Sequence, residues 1–365
     1  MTGISELPTP ALLLDLDRLE ANLRTMAARC EALGVALRPH IKTHKCIEIG
    51  KLQRDFGANG ITVSTLEEAR VFAQHGFDDI TWAFPVIPSR IDEAAELATK
   101  VTLGIVIDTA EALAQLESVG FPFHVWIKVD SGYHRAGVDP QSNSSVDLAQ
   151  RLDASDTLSF EGVLTHSGQC YRARGKDMIR RVAEEERRVT VEFADRLRTE
   201  GAVSVSHVSV GSTPAMSVVE HLSGVTEARP GNYALYDYSQ TIIGSCSVND
   251  CAVSVLASVV SSQPGANHSI VDAGAMALSK DAGPDDAPQR TMGEIFEDYA
   301  AGSLSRESRV VSVSQEHGTV SGRLPLGTKV RVLPNHSCLT VAQFDEFHVV
   351  RGDEIVDKWK IWRDR

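Results

Sequence analysis

From residue 36 to about residue 230, the chain alternates eight times between a short apolar run and a longer amphipathic stretch. Several of the apolar runs are rich in Val, Ile, Phe, Trp or Thr, which is typical of strands buried in a parallel sheet. Eight alternations of this kind predict a (β/α)8 barrel, the TIM-barrel architecture. The runs are ALRPHIK (36–42), ITVS (61–64), DITWAF (79–84), TLGIVI (102–107), FHVWIKVD (123–130), LSFEGVLTH (158–166), SHVSVGS (206–212) and VTEAR (225–229).

The stretches between the runs carry the start and stop signals of helices. STLEEARVFAQHG (64–76) opens on the cap candidates Ser64 and Thr65 and ends in glycine and histidine turn residues. DTAEALAQLESVG (108–120) repeats this pattern, with Asp108 at its start and a glycine at its end. These stretches are therefore expected to be the helices that connect the barrel strands.

After about residue 245 the helical pattern stops, and short strand-like runs separated by turn residues follow. This change predicts a second, mostly antiparallel β domain. We place the barrel at residues 20–245 and the β domain at residues 246–365 together with 1–19. The polar, Pro/Gly-rich stretch SKDAGPDDAPQRT (279–291) is expected to be a loop that is either mobile or reaches towards a site in a partner subunit.

Composition narrows the range of partners. The formal net charge of −13 disfavours a nucleic-acid or anionic-membrane partner, since both attract patches of Lys and Arg. No apolar run approaches the ~20 residues that span a bilayer, and no signal peptide is evident. The six cysteines are scattered and form no CxxC pair, which predicts reduced thiols in a cytoplasmic protein. A small molecule is the expected partner.

The C-terminal ends of barrel strands carry the chemistry of this architecture. The first run ends with His40 and Lys42, the fifth with Lys128, and the sixth with His166. A lysine at the end of an apolar strand is expected to be partly desolvated, which lowers its pKa and suits it to Schiff-base chemistry. A plain surface lysine at a strand exit is the alternative that position alone leaves open.

Glycine-rich turns follow the last two strands, as GST (211–213) and PGNY (230–233). Barrels often bind phosphate at this place with backbone N–H groups, where glycine permits a close approach. A lysine on the first strand opposite a phosphate site at strands seven and eight is the arrangement expected for pyridoxal phosphate in a barrel.

Near the end of the chain, PNHSCLT (334–340) holds His336 and Cys338 two residues apart. The pair is either part of an ordinary loop or half of a metal site. Imidazole and thiolate together favour zinc over magnesium or manganese.

Taken in order, the motifs resemble one family. RPHIKTHK (38–45), KVDSGYHRAGV (128–138), THSGQCY (165–171), VGSTP (210–214), EARPGNYALYD (227–237) and PNHSC (334–338) are similar to motifs of the D-serine dehydratase and D-threonine aldolase family. These proteins are two-domain relatives of alanine racemase, the fold type III pyridoxal-phosphate enzymes. The resemblance covers nearly the whole chain.

The resemblance implies roles for individual residues. Lys42 matches the lysine that holds pyridoxal phosphate covalently, Arg229 the arginine that faces the pyridine nitrogen, and Arg135 an arginine near the ring hydroxyl. One family tyrosine is replaced here by Leu164, which puts the exact substrate in doubt. The further positions implied to bind or line the cofactor are His40, Tyr171, Ser212, Thr213, Gly231 and Asn232.

The resemblance also implies a reaction. His336 and Cys338 match the family's metal pair, and the His-x-Cys form resembles the zinc-using dehydratases, whereas His-x-Asp resembles manganese-using aldolases. We therefore expect elimination of water from a D-3-hydroxy amino acid, giving a 2-oxo acid and ammonia, with Lys42 as the base. By analogy the chain is expected to be a homodimer.

Two alternatives stay open. In the first, the same site cleaves its substrate to glycine and an aldehyde as a D-threonine aldolase does, with manganese as the alternative metal and His166 as a candidate base. In the second, the chain is a non-catalytic carrier of pyridoxal phosphate. Single-domain carriers of this barrel type lack the β domain and the metal pair, which disfavours the second alternative.

The lysine assignment can be tested directly. Lys42→Ala should abolish the visible absorbance of the covalently held cofactor, because no other residue would form the bond to its aldehyde. The absorbance spectrum of the purified protein measures this. Lys51→Ala serves as the matched control and should keep the absorbance; an unchanged spectrum in the Lys42 variant would show that the assignment is wrong.

Overall fold

The computed structural model describes residues 3–285 and 287–363, which form two compact units. The barrel unit comprises Met26–Lys42 and Gly50–Gly231. The β unit comprises the residues up to Thr25, the short segment Thr43–Ile49, and Asn232–Arg363. Two segments expected in the barrel, Thr43–Ile49 and residues 232–245, therefore lie in the β unit. Their amino-acid composition does not distinguish them from the barrel.

The barrel unit contains eight parallel strands, and from the second strand to the eighth each pairs with its neighbours in chain order. The first strand also pairs with the eighth, and a bridge between His40 and Thr62 joins the first segment to the second strand, so the ring closes. The (β/α)8 barrel predicted from the sequence is confirmed. Its strands are Ala36–Leu37, Ile61–Val63, Asp79–Pro85, Thr102–Ile107, His124–Lys128, Ser159–Leu164, His207–Val210 and Glu227–Ala228.

Helices follow most of these strands, as the sequence pattern predicted. Thr65 caps the helix Leu66–Gln74 by accepting a hydrogen bond from the Glu68 N–H. The helix Ala110–Val119 is capped by Thr109, not by the expected Asp108, whose carboxylate accepts from the Gly137 N–H instead. The other α-helices in the part of the chain described are Leu16–Leu33, Ile47–Asp55, Ile91–Ala98, Asn143–Asp153, Lys176–Thr199, Thr213–Val218, Tyr238–Ile243, Ala275–Leu278 and Ser337–Val341.

The first strand is shorter than the apolar run that predicted it. It ends at Leu37, and Lys42 lies in the 3-10 turn Ile41–Thr43 rather than on the strand. Pro39 gives the physical reason, because proline has no N–H to donate to a sheet ladder. Its carbonyl still accepts from the Thr62 N–H at 2.9 Å, which holds the turn against the second strand.

The β unit is built on a nine-stranded sheet. Only the pairing of Ala11–Asp15 with Glu346–Arg351 is parallel, so the mostly antiparallel domain predicted from the sequence is confirmed. The strand His268–Val271 also pairs with Val253–Ser261, which closes six of the strands into a ring. The remaining strands are Gly293–Asp298, Ser303–Val313, Gly318–Ser321, Lys329–Leu333 and Glu354–Lys360. Within the part of the chain described, no helix could cross a membrane.

The pairing of the sixth and seventh barrel strands depends on one glycine. Gly162 pairs with His207 and has a positive φ of 150°. A Cβ atom at this position would overlap the carbonyl oxygen of His207. Backbone atoms within a closed ring of strands cannot move away without breaking ladder hydrogen bonds, so only glycine fits.

Gly162→Ala should therefore lower the free energy of unfolding by about 3 kcal/mol or more, because a backbone clash adds to the strain of positive φ. Urea denaturation measures the change. Gly57→Ala is the matched control, since Gly57 also has a positive φ but has open space around its Cβ position. It should cost only about 1–2 kcal/mol, and equal losses in the two variants would contradict the clash.

Candidate active site

Lys42 is presented by the 3-10 turn that follows the first strand, and its side chain is exposed. The desolvation expected from the sequence is therefore wrong, since the residue sits on a turn and not on the buried strand. The imidazole of His40 contacts the backbone of this turn. Its Nδ1 accepts from the Lys42 N–H at 3.5 Å, and its Nε2 lies 3.4 Å from the Ser64 hydroxyl.

The buried lysine of the barrel is Lys128, the last residue of the strand His124–Lys128. Burial, followed by the positive charges of Arg229 and Arg135, lowers its pKa to about 8. The sequence placed Lys128 at a strand end but assigned it no role. The signal that could have found it is a lysine within an otherwise apolar run.

His166 follows the strand Ser159–Leu164 and is half-buried. Burial lowers its pKa well below the ordinary value for histidine, and the nearby positive charges lower it further. The imidazole is therefore neutral at pH 7 and can accept a proton. The aromatic rings of Tyr133 and Tyr171 have centroids 6.2 and 6.3 Å from the imidazole. The four cations that act on it are Lys42, Arg135, Lys128 and Arg229.

Arg229 is buried and donates to the hydroxyl of Ser209 and to the carbonyl oxygen of Thr165. The Ser209 hydroxyl donates in turn to Glu227 at 2.5 Å. Glu227 also accepts from Nε of Arg38 at 2.9 Å. This chain of contacts fixes the guanidinium of Arg229 in one orientation. Burial lowers the pKa of Arg229, while Glu227 opposes that shift.

Arg135 lies in the loop after the fifth strand and is exposed, with its guanidinium 5.1 Å from the centre of the Tyr133 ring. Asp130 organises this loop. Its Oδ1 accepts from the backbone N–H groups of Gly132 and His134, and its Oδ2 lies 2.8 Å from Nδ1 of His134. Burial alone would raise the pKa of Asp130, but these hydrogen bonds lower it, so the carboxylate is charged at pH 7.

The turn after the seventh strand leads into the short helix Thr213–Val218. Gly211 has a positive φ of 99°, and the hydroxyl of Ser212 caps the helix by accepting from the Ala215 N–H at 3.4 Å. Ser212 and Thr213 are both buried. The fully buried Glu186 supports the adjacent loop by accepting from the Ser167 N–H at 2.9 Å, and burial raises its pKa.

In the β unit, His336 and Cys338 stand at the start of the helix Ser337–Val341, within hydrogen-bonding reach of each other. Burial opposes charge on both groups, but mutual hydrogen bonding and Asp281 raise the pKa of His336 to about 11. Hydrogen bonds from His336 and then Thr43 outweigh burial at Cys338 and lower its pKa. The thiol lies 3.4 Å from Oγ1 of Thr43, the residue that follows Lys42 in the chain.

The buried carboxylate of Asp237 fixes the start of this helix. Its Oδ2 accepts from the Ser337 N–H at 2.9 Å and from Nδ2 of Asn232 at 2.8 Å. The same amide group donates to the Ser337 hydroxyl and lies 3.8 Å from Sγ of Cys338. The side chain of Asn232, which the resemblance assigned to the cofactor, thus contacts the metal pair. A contact to the cofactor would have to use its backbone.

The structure therefore brings the expected residues together in two groups. In the barrel unit, His166 feels the charges of Lys42, Arg135 and Arg229, and in the β unit His336 meets Cys338. The expected loop at 279–291 has its Asp281 carboxylate 2.8 Å from Nδ1 of His336. Among the residues described, no cluster of three His, Cys, Asp or Glu side chains suited to a metal ion is found. Sequence reasoning gave no role to Thr43, Lys128, Glu186, Asp237 or Asp281.

Comparison with known families matches the two halves of the chain separately. Residues 14–239 match the family described as "Alanine racemase, N-terminal domain", and residues 252–350 match the "Putative serine dehydratase domain".

Several curated proteins resemble the chain over nearly its whole length. D-threo-3-hydroxyaspartate dehydratase of Delftia sp. (strain HT23) is 37% identical, with 97% of each chain covered. D-serine dehydratase of Dictyostelium discoideum is 36% identical, covering 98% of this chain and 97% of that one. D-threonine aldolase of Arthrobacter sp is 30% identical, covering 98% and 93%.

Solved structures agree with these matches. That of the Delftia D-threo-3-hydroxyaspartate dehydratase has a TM-score of 0.95 at 35% identity and covers all of both chains. A cysteine-to-alanine variant of that dehydratase, described as the metal-free form, scores the same. Alanine racemase of Clostridium difficile 630 has a TM-score of 0.71 at 15% identity, covering 98% of this chain and all of that one, which shows a shared fold alone.

The buried lysine predicts a pH-dependent stability. Lys128 has a folded-state pKa of about 8 against 10.5 when unfolded, so the unfolded chain binds more protons between these values and stability rises with pH across that window. Lys128→Met should therefore stabilise the cofactor-free protein at pH 7 by about 3 kcal/mol, and this gain should disappear by about pH 10.5. Urea midpoints at the two pH values measure it. Lys100→Met, at an exposed lysine, is the control and should show no such pH dependence.

Proposed function

This chain belongs to the fold type III pyridoxal-phosphate enzymes that join an alanine racemase N-terminal domain to a serine dehydratase domain, and on that premise we propose that it is a dehydratase. Its reaction removes water from a D-3-hydroxy amino acid and yields a 2-oxo acid and ammonia. The names of two relatives, D-threo-3-hydroxyaspartate dehydratase and D-serine dehydratase, support this reaction. The pairing of His336 with Cys338 is the structural observation that carries it.

The barrel group fits pyridoxal phosphate. Lys42, an exposed residue, would form the covalent bond, and the cations around His166 fit an anionic cofactor. Pyridoxal phosphate, when bound, supplies an electron sink that weakens the Cα–H bond of an amino acid. The phosphate would be held by Ser212, Thr213, Gly231 and Asn232, and the ring would be contacted by His40, Arg135, Tyr171 and Arg229.

The metal pair fits zinc, with manganese as the alternative ion. A neutral imidazole and a thiolate are common zinc ligands, and two protein ligands leave positions open for water or substrate, as catalytic sites require. Zinc, when bound, supplies a Lewis acid for the substrate's β-hydroxyl. The depressed pKa of Cys338 and its contacts with Thr43 and Asn232 suit a thiolate at this position.

The chain's own residues have distinct tasks in this reaction. Lys42 would act as the base that takes the proton from Cα. Arg229 is held by Ser209 and Thr165 and keeps a fixed positive charge inside the barrel. The nearby cations Lys128 and Arg135 attract the substrate's carboxylate. Hydroxide then leaves from Cβ, and hydrolysis of the released product gives the 2-oxo acid and ammonia.

Aldol cleavage is the second candidate, and the D-threonine aldolase relative favours it. This reaction would break the Cα–Cβ bond and needs a base for the β-hydroxyl proton. His166 can take that role because its imidazole is neutral at pH 7. A homodimer stays a prediction drawn from the resemblance, and a cytoplasmic location stays a prediction drawn from the cysteine pattern.

Product analysis separates the two reactions. The zinc-loaded protein should convert D-serine or D-threo-3-hydroxyaspartate to a 2-oxo acid with stoichiometric ammonia, and a strong chelator should abolish the conversion until zinc is restored. Oxo-acid and ammonia assays measure this, with manganese tested in parallel. Cys338→Ala should behave as the chelated protein does, and Cys30→Ala, at a buried barrel cysteine, is its control.

Formation of glycine and acetaldehyde from D-threonine, without ammonia, would instead establish the aldolase. Dehydration that survived complete metal removal would refute the role of the metal pair while leaving the pyridoxal-phosphate assignment intact.

A further inference from the structure

The imidazole of His336 has a carboxylate partner. Its Nδ1 lies 2.8 Å from Oδ2 of Asp281. An ionised carboxylate can only accept hydrogen bonds, so Nδ1 must carry the proton in this contact. When a metal ion replaces the second ring proton, the lone pair of the neutral ring resides on Nε2. A metal ion bound to His336 must therefore use Nε2.

The position of Asp281 is fixed by its own loop. Its Oδ1 accepts from the Gly283 N–H at 2.9 Å, and its backbone N–H donates to the Ser279 hydroxyl at 3.2 Å. Its carbonyl oxygen accepts from Nδ2 of Asn335 at 2.9 Å. Asn335 also donates to the carbonyl of Thr291 at 2.7 Å, so the residue beside His336 ties both ends of the loop to the metal pair.

We propose that Asp281 is a positioning residue of the metal site, which sets the tautomer and ring orientation of His336. This inference rests on the proposed metal role of His336 and Cys338. Metal-binding histidines are commonly oriented by a carboxylate on their second nitrogen, which also makes the ligating nitrogen more basic. Asp281 acts through His336 and does not touch the metal.

The surroundings of His336 explain why such a partner is needed. Its side chain is 39% exposed, so packing alone leaves the ring freedom to rotate about its side-chain bonds. Cys338 is partly exposed as well, and its thiol lies 3.4 Å from Oγ1 of Thr43 and 3.8 Å from Nδ2 of Asn232. The hydrogen bond that Nδ1 of His336 donates to Asp281 therefore fixes the orientation of the imidazole.

Asp281→Asn tests the proposal, because the amide keeps the size of the side chain but loses the charge. The dissociation constant for zinc, measured by competition with a chromophoric chelator, should rise about 10- to 100-fold. Asp285→Asn is the matched control, since Asp285 is exposed on the same loop, and it should bind zinc as the wild type does. Asp281→Glu, which keeps a carboxylate on a longer arm, should recover part of the affinity.

A second readout is independent of activity. In the cobalt(II)-substituted protein, the thiolate-to-cobalt band reports Cys338, and the ligand-field bands report the geometry of the site. Asp281→Asn should keep the thiolate band at saturating cobalt but shift the ligand-field bands. The covalently held cofactor's absorbance confirms that each variant is folded.

The outcomes separate this inference from the proposed function. Equal zinc affinity and equal cobalt spectra in the wild type and Asp281→Asn, with the wild type binding metal through Cys338, would overturn the positioning role alone. A wild type whose metal binding is unaffected by Cys338→Ala would overturn the metal pair itself. Loss of affinity in Asp281→Asn that Asp281→Glu partly restores would establish the carboxylate's role.

Discussion

Two arginines, the buried Arg229 and the largely buried Arg38, determine much of what the barrel interior can do. Arg38 and Arg229 both lie among side chains of a closed ring of strands, where an unpaired charge would be strongly destabilising. Glu227 serves both of them, directly for Arg38 and through Ser209 for Arg229. The two carboxylate oxygens of Asp79 accept hydrogen bonds from Nη1 and Nη2 of Arg38 at 2.7 and 2.8 Å. Each charged or polar group in this series of contacts depends on the next one for a hydrogen-bond partner. The contacts therefore hold the guanidinium of Arg229 in one orientation, where it could act on a ligand as a fixed charge.

The metal pair shows the same principle with hydrogen bonds instead of ion pairs. The buried Asp237 accepts from the start of the helix that carries Cys338, and Asp281 accepts from His336. Neither Asp237 nor Asp281 lies in or beside the His336-x-Cys338 motif in the sequence. A short motif can therefore name the ligands, but their orientation depends on residues that are distant in the chain, at separations of 100 and 55 positions.

The sequence predicted the barrel and the β domain because strand and helix periods are local properties that repeat many times. It also placed Lys42, His166 and Arg229 at strand ends, and these contribute to one electrostatic group. It misjudged the exposure of Lys42, since a single proline ends the strand early. It gave Lys128 no role, although a lysine within an apolar run is a local sign of burial. It missed Asp281 because the choice of a hydrogen-bond partner follows from tertiary packing, which no local pattern encodes.

The charge of Arg229 gives a chemical reason why the chain would need both the cofactor-binding residues of the barrel and the proposed metal pair of the β unit. If Arg229 faces the pyridine nitrogen, as the resemblance implies, its positive charge disfavours a proton on that nitrogen. The ring is then a weaker electron sink than one paired with an acid. A weaker sink gives less help to a poor leaving group such as hydroxide, so a Lewis acid at the β-hydroxyl becomes more valuable. On this argument, a barrel built around a buried arginine favours reactions at Cβ only when the chain also carries a metal pair, a requirement that His336 and Cys338 would meet under the proposed function.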